Sequence, residues 1–140
     1  MCLSSVVKAS ANNRRLQKGS DVKVLVVDDS GVMRKIIIRS LFACGVSDTV
    51  EAADGEIAWS EFQDEEFDLV MTDWNMPNVT GLELLQRIRQ SGSAVPVIMI
   101  TTEGERDKVV QAIQAGVTDY LCKPFEKEEL QAKIDKYVAV

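Results

Sequence analysis

The 140-residue chain carries 22 acidic and 16 basic residues, a formal charge of −6, and no histidine. At 46% apolar and 27% charged it has the composition of a single globular domain that can bury a core without metal or disulfide staples, which excludes wholesale disorder. The missing histidine excludes a Ser-His-Asp triad, a His-ligated zinc, an imidazole general base and a phosphohistidine on this chain, leaving carboxylates, lysine, hydroxyls, thiols or a bound metal for any proton or phosphoryl chemistry.

Charge is unevenly placed. Residues 1–20 hold Lys8, Arg14, Arg15 and Lys18 and no acid, a local +4, whereas 21–140 carry a balance of −10. The acidic portion would repel nucleic-acid phosphates, so direct nucleic-acid binding is not expected unless the short basic segment supplies it. The basic segment 1–20 lacks the apolar stretch of a secretory signal; its Ser and Arg content faintly suits an organelle transit peptide, and a disordered tail is the plainer expectation. Cys2, Cys44 and Cys122 are odd in number and show no C-x-x-C spacing, which points to a reducing, cytoplasmic setting rather than to a disulfide framework or thiolate metal site. Cys44 and Cys122 stand among apolar residues and read as buried packing. No apolar run approaches the roughly 18 residues of a membrane span, so membrane insertion is not expected.

From residue 21 onward, β-branched runs alternate with helical periodicity. Val22–Val27 is nearly unbroken in apolar character, the signature of a strand covered on both faces. Asp29 or Ser30 can cap a helix with Met33, Ile36, Ile37 and Leu41 at helical spacing, ended by Gly45. Thr49–Ala52 is a short second strand, and Asp54 caps a helix carrying Ile57, Ala58 and Phe62. Phe67–Thr72 is the third strand, followed by the loop Asp73–Val79. Thr80 and Glu83 have the spacing of a capping box ahead of Leu84, Leu85 and Ile88. Pro96–Ile100 is the fourth strand; Val109, Val110 and Ile113 mark a helix closed by Gly116; Thr118–Cys122 is the fifth strand. The last helix carries Leu130, Ile134 and Val138, with Glu129 and Lys133 spaced for an i,i+4 pair. Five strands interleaved with five helices predict one α/β domain, a parallel sheet sandwiched between helical layers, over 21–140.

In open α/β sheets, ligands bind beyond the carboxyl ends of the strands. There the sequence places Asp28 and Asp29 after strand one, Asp73 after strand three, Thr101 and Thr102 after strand four, and Lys123 after strand five. Taken singly, Asp29 could only cap a helix, Asp73 could start a turn, Thr101 could bond backbone and Lys123 could be solvated. Taken together, three crowded carboxylates call for a cation, and an all-oxygen donor set without histidine favours Mg²⁺. With that ion and Lys123 neutralising phosphate oxygens, Asp73, alone on the central strand, is the best nucleophile for a labile aspartyl phosphate, while Asp28 and Asp29 are better placed to hold metal.

Several motifs carry a closer resemblance: Val26-Val27-Asp28-Asp29-Ser30; Asp73-Trp74-Asn75-Met76-Pro77 with Gly81-Leu82-Glu83-Leu84-Leu85; Thr101-Thr102-Glu103; and Tyr120-Leu121-Cys122-Lys123-Pro124-Phe125. In this order and spacing they resemble the receiver domain of two-component response regulators, especially the stand-alone, CheY-like chemotaxis type, across essentially all of 21–140. The resemblance implies a flavodoxin-like (βα)5 three-layer sandwich with strand order 2-1-3-4-5. It implies that Asp73 is the phosphoacceptor, and that Asp29, Asp73 and the Asn75 backbone carbonyl bind Mg²⁺, with Asp28 acting through water. It further implies that Lys123, with a cis bond to Pro124, contacts the phosphoryl group, and that Thr101 and Tyr120 form the switch. Asn75 and Glu103 occupy positions that tune dephosphorylation and match the chemotaxis pair, implying rapid self-hydrolysis. Read without the resemblance, Tyr120 is a partly exposed strand aromatic, and Trp74 a loop aromatic covering the core.

The functional expectation is a signalling switch rather than an enzyme. A histidine kinase would supply the phosphoryl group, and the readout would run through helix 104–115, strand 118–122 and helix 126–138. On that face Arg106, Val109, Tyr120, Cys122, Phe125 and Lys133 would form a mixed apolar and basic patch for a partner protein. With the sequence ending at residue 140, output is expected through protein contact by a monomer, a flagellar motor switch protein being the target that the resemblance suggests. A phosphorelay intermediate or a phosphate sink remains open, as does a receiver-like scaffold that is never phosphorylated. An Mg²⁺-dependent aspartyl-phosphate phosphatase is disfavoured, because Ser30 follows the Asp pair where Asp-x-Asp is needed. A flavin binder is disfavoured by the lack of a Ser/Thr/Gly phosphate loop.

Overall fold

Val22 to Val27 is an extended apolar run because both faces of its strand are covered. In the computed structural model, which describes residues 22–102 and 106–138 (the latter without the Arg106 side chain), this run forms β1 (Lys23–Val27) at the heart of the sheet. The expected tail 1–20, Glu103 and the Arg106 side chain lie outside the described residues. The chain continues as α1 (Gly31–Ala43), β2 (Asp48–Ala52), α2 (Gly55–Asp64), β3 (Leu69–Asp73), α3 (Gly81–Gln90), β4 (Val97–Thr101), α4 (Arg106–Gln114), β5 (Asp119–Cys122) and α5 (Lys127–Tyr137). The strands form one parallel sheet in the order β2-β1-β3-β4-β5, the flavodoxin-like order expected.

Alternation along the strands divides the core into two layers. Val24 and Val26, Leu69 and Met71, and Ile98 and Ile100 face α1 and α5, meeting Ile37, Leu41, Leu130 and Ile134. Leu25 and Val27, Val70, and Val97 and Met99 face α2, α3 and α4, meeting Ala58, Leu84, Leu85, Ile88 and Ala112. Each fully buried leucine or isoleucine contributes about 1.5–3 kcal/mol through area removed from water. Cys44 is buried as expected and burial pushes its thiol pKa up, whereas Cys122 is only half-buried.

Helix starts follow local chemistry. Ser30 caps α1 by accepting from the Met33 amide, Asp54 caps α2 by accepting from the Ile57 amide at 2.8 Å, and Thr80 with Glu83 forms the reciprocal box that starts α3. Gly45 and Gly116 adopt positive φ (both 94°) just beyond α1 and α4, where a side chain would be strained.

Four apolar helix residues lie outside the core, and two expectations need correction. Ile36 and Ile57 point outward, 44% exposed each, because α1 and α2 bury narrower stripes than their apolar content suggests. Val110 (56%) and Ile113 (61%) are also outside; α4 packs through the small Ala112 and half-buries Val109. Asp73 is the last residue of β3 rather than the first of a loop, paired in register with Ile100. Lys133 donates to Asp119 and Glu129 accepts from the Glu126 amide, in place of the expected i,i+4 pair between them.

Candidate functional site

Parallel pairing brings the carboxyl ends of β1, β3, β4 and β5 to one edge, with Val27 beside Thr72, Asp73 beside Ile100 and Thr101 beside Cys122. Side chains from residues up to 95 positions apart meet there. One carboxylate oxygen from each of Asp28, Asp29 and Asp73 lies within 4.8 Å of the other two. The Lys123 ammonium stands 3.4 Å from Asp28 Oδ2 and 3.6 Å from Asp73 Oδ1, so one cation bridges the acids of β1 and β3. Lys123 is itself fixed by its amide, which donates to the Thr101 carbonyl at 2.6 Å, and its bond to Pro124 is cis as expected.

The three acids sit in different surroundings. Asp28 is 1% exposed; its Oδ1 accepts from the Ser30 amide at 2.9 Å and its carbonyl accepts from Arg34 at 2.6 Å. Asp29 is exposed and Asp73 is half-buried, with Asp73 Oδ1 accepting from the Trp74 amide at 2.8 Å. An anionic acid with one buried, one intermediate and one open member suits a hard cation that keeps part of its water shell, and every donor is oxygen. The residues present therefore fit a bound Mg²⁺. Two glycines allow the loop after β3 to close over this edge. A Cβ on Gly81 would lie 2.2 Å from the Asp73 carbonyl oxygen, and one on Gly55 2.2 Å from that of Val79.

Around this centre, Thr101 is buried at the end of β4, while Tyr120 on β5 points outward at 46% exposure with the Lys133 ammonium 6.0 Å from its ring centre. Asp119, next to Tyr120, accepts from Tyr137 at 2.7 Å, from Lys133 at 3.0 Å and from the Tyr120 amide at 2.8 Å. Burial pushes the Asp119 carboxyl up, yet these three donors outweigh it and leave its pKa below the ordinary carboxylate value. Trp74 is buried, 6% exposed, as a cover on the core. Of the remaining expected face, Val109, Cys122, Phe125 and Lys133 are half-buried, and Phe125 packs against the α1/α5 core layer. The large apolar side chains most open on α4 and β5 are Val110, Ile113 and Tyr120.

Two further residues had escaped notice. Arg34 ties α1 to the Asp28 carbonyl and to Glu51 at 2.9 Å, and together with Lys35 lowers the Glu51 pKa. Lys108, in the first turn of α4, donates to Asn75 Oδ1 at 2.9 Å and lies 5.8 Å from the Trp74 ring centre. Neither belongs to a contiguous motif, so only spacing across 33 residues links Lys108 to Asn75.

Fold and site together define a doubly wound α/β domain with a lysine-backed acidic pocket at its carboxyl edge. Comparison with known proteins makes the class specific: the family model "Response regulator receiver domain" matches residues 24–135, and the chain belongs to that family. It is 43% identical over 117 residues to Chemotaxis protein CheY of Pseudomonas aeruginosa, covering 82% of this chain and 94% of that protein. It is 42% identical to Chemotaxis protein CheY-3 of Vibrio cholerae, covering 83% and 91% respectively. Among solved structures, Vibrio cholerae CheY4 superposes with a TM-score of 0.76 at 34% identity, covering 84% of this chain and 98% of that one. The chain is thus a CheY-like response regulator receiver. Among the described residues no helix is long and apolar enough to cross a membrane.

Proposed function

We propose that Asp73 accepts a phosphoryl group from the phosphohistidine of a histidine kinase and that the chain acts as a cytoplasmic, monomeric switch in chemotaxis signalling. The observation that supports this best is the pairing of Lys123 with both Asp28 and Asp73, 3.4 and 3.6 Å away, within a three-carboxylate cluster. In the transfer, an Asp73 carboxylate oxygen forms a bond to phosphorus as the phosphorus–nitrogen bond of the donor breaks, its electron pair returning to the imidazole. Asp28, Asp29, Asp73 and the Asn75 carbonyl would hold Mg²⁺, which supplies positive charge to the phosphoryl oxygens as they pass between donor and acceptor. Lys123 supplies a second positive charge from the β5 side. Its backbone amide, anchored to the Thr101 carbonyl, fixes the point from which the side chain reaches the acids.

The switch follows from added charge. A phosphoryl group brings about −1.5 to −2 to an acidic pocket, and its oxygens seek the Thr101 hydroxyl and Lys123. Movement of Thr101 toward the phosphoryl group frees space into which the Tyr120 ring turns from its exposed position. The face formed by α4, β5 and α5 then changes shape, altering affinity for a partner protein; relatives named as chemotaxis proteins make a flagellar motor switch protein the first target to test. Asn75 and Glu103 set how fast the mark decays. Incubation with acetyl phosphate and Mg²⁺ followed by intact mass measurement tests the acceptor: a single phosphoryl adduct is expected, absent in Asp73→Asn. An equal adduct in that variant would remove Asp73 from the role.

A further inference from the structure

Lys108 is a cation of α4 that reaches back onto the loop following β3. Its ammonium has only protons to offer, so the Asn75 atom 2.9 Å away must be the carboxamide oxygen rather than its nitrogen. The lysine stem lies half-buried, and the Trp74 ring, 5.8 Å from the charge, helps hold it in place. The Asn75 side chain is thereby pinned by its one acceptor.

Which atom is pinned matters for hydrolysis of an aspartyl phosphate. The attacking water must keep a lone pair for phosphorus and donate its protons elsewhere. A new bond forms from water oxygen to phosphorus, and the bond from phosphorus to the Asp73 oxygen breaks. Its electron pair returns to the carboxylate, and a water proton leaves on the phosphate or to solvent. A neighbouring acceptor orients that water; a neighbouring donor competes for the lone pair it needs. Asn75 has one side-chain acceptor atom, Oδ1, and Lys108 takes one of its two lone pairs and holds it toward α4; the amide nitrogen can only donate.

We propose that Lys108 is a positioning residue that slows loss of the phosphoryl group by engaging Asn75 Oδ1. The contact also links the lifetime of the mark to the placement of α4, since Lys108 rides on that helix. The inference rests on Asp73 being the phosphoacceptor, and the experiment separates the two.

The full chain and its variants are phosphorylated with acetyl phosphate and Mg²⁺, adduct formation is confirmed by intact mass, and decay is followed after donor removal. Lys108→Met is expected to shorten the lifetime about 2- to 10-fold, the change that the net contribution of one hydrogen bond allows. Lys108→Arg, which keeps the donor and the contact with Trp74, is expected to restore most of the lifetime. In an Asn75→Ala background, Lys108→Met should have no further effect, which a general structural role of the lysine would not produce. Lack of an adduct on wild type, or an equal adduct in Asp73→Asn, would overturn the acceptor assignment and this inference with it. A normal adduct with unchanged or lengthened decay in Lys108→Met would overturn the role of Lys108 alone, as would an equal acceleration in the Asn75→Ala background.

Discussion

Replacing Asp29 with asparagine should stabilise the protein when divalent cations are absent and destabilise it, relative to wild type, when they are abundant. Carboxylate oxygens of Asp28, Asp29 and Asp73 lie within 4.8 Å of one another. Two unit charges at that separation repel by about 1 kcal/mol in bulk water and about 3–4 kcal/mol at an effective dielectric constant near 20. Asp29 is exposed, so solvent holds its share near the lower figure, and Lys123 offsets part of the total. A gain of about 1–2 kcal/mol for Asp29→Asn in chelator follows, visible as a rise of roughly 3–8 °C in Tm. Adding Mg²⁺ to about a hundred times its Kd stabilises wild type by about 2.7 kcal/mol, a gain the variant should largely lose. Thermal unfolding in EDTA and over a Mg²⁺ titration reads both signs in one series, and the curves for the two proteins should cross. If Mg²⁺ raised both melting temperatures equally, or if the substitution lowered stability in EDTA, the three acids would not be a strained cation site.

Three further substitutions give outcomes of the same kind. Gly81→Ala puts a methyl 2.2 Å from the Asp73 carbonyl oxygen, about 1.2 Å short of ordinary contact. The β3–α3 junction must yield, costing about 1–3 kcal/mol in urea unfolding and, if Asp73 is displaced by as much as ~1 Å, up to roughly a hundredfold in phosphorylation rate. Gly92→Ala, at positive φ with open space around it, should cost about 1–2 kcal/mol in stability and leave that rate unchanged. Asp119 has a folded pKa below its ordinary 3.8, so its contribution to stability is complete above that value and is lost as pH falls through the folded pKa. Asp119→Asn should therefore cost most near neutrality, and the gap in Tm should close as pH drops from about 5 toward 3; a gap independent of pH would contradict the assignment.

What was legible in the sequence was whatever local periodicity or a strand terminus encodes. The nearly unbroken apolar run Val22–Val27 identified a strand covered on both faces, and β1 indeed feeds Val24 and Val26 to one layer and Leu25 and Val27 to the other. Capping chemistry at Asp54 and at Thr80 with Glu83 located two helix starts for the same local reason. The site's residues were legible because parallel topology forces the carboxyl ends of strands to a common edge, so Asp28, Asp29, Asp73, Thr101 and Lys123 could be gathered without coordinates. Depth was not legible: neighbouring Asp28 and Asp29 look alike in sequence, yet one is 1% exposed and the other open. Helix α4 was legible as a helix but not in its orientation: Val110 and Ile113 have helical spacing yet face solvent, while Ala112 is buried and Val109 half-buried. Long flexible side chains were the least legible of all. Arg34 reaching Glu51, Lys133 choosing Asp119 over Glu129, and Lys108 reaching Asn75 each depend on how elements pack, which no local spacing specifies.

The central claim is that Asp73 carries the phosphoryl group, and reductive trapping reads it most directly. Borohydride converts an aspartyl phosphate to homoserine, so wild type phosphorylated with acetyl phosphate and Mg²⁺ is reduced, digested and mapped by peptide mass. Homoserine at position 73, and its loss when EDTA replaces Mg²⁺, is the predicted result. Homoserine at position 28 or 29, or none in a sample whose intact mass shows the adduct, would contradict the account.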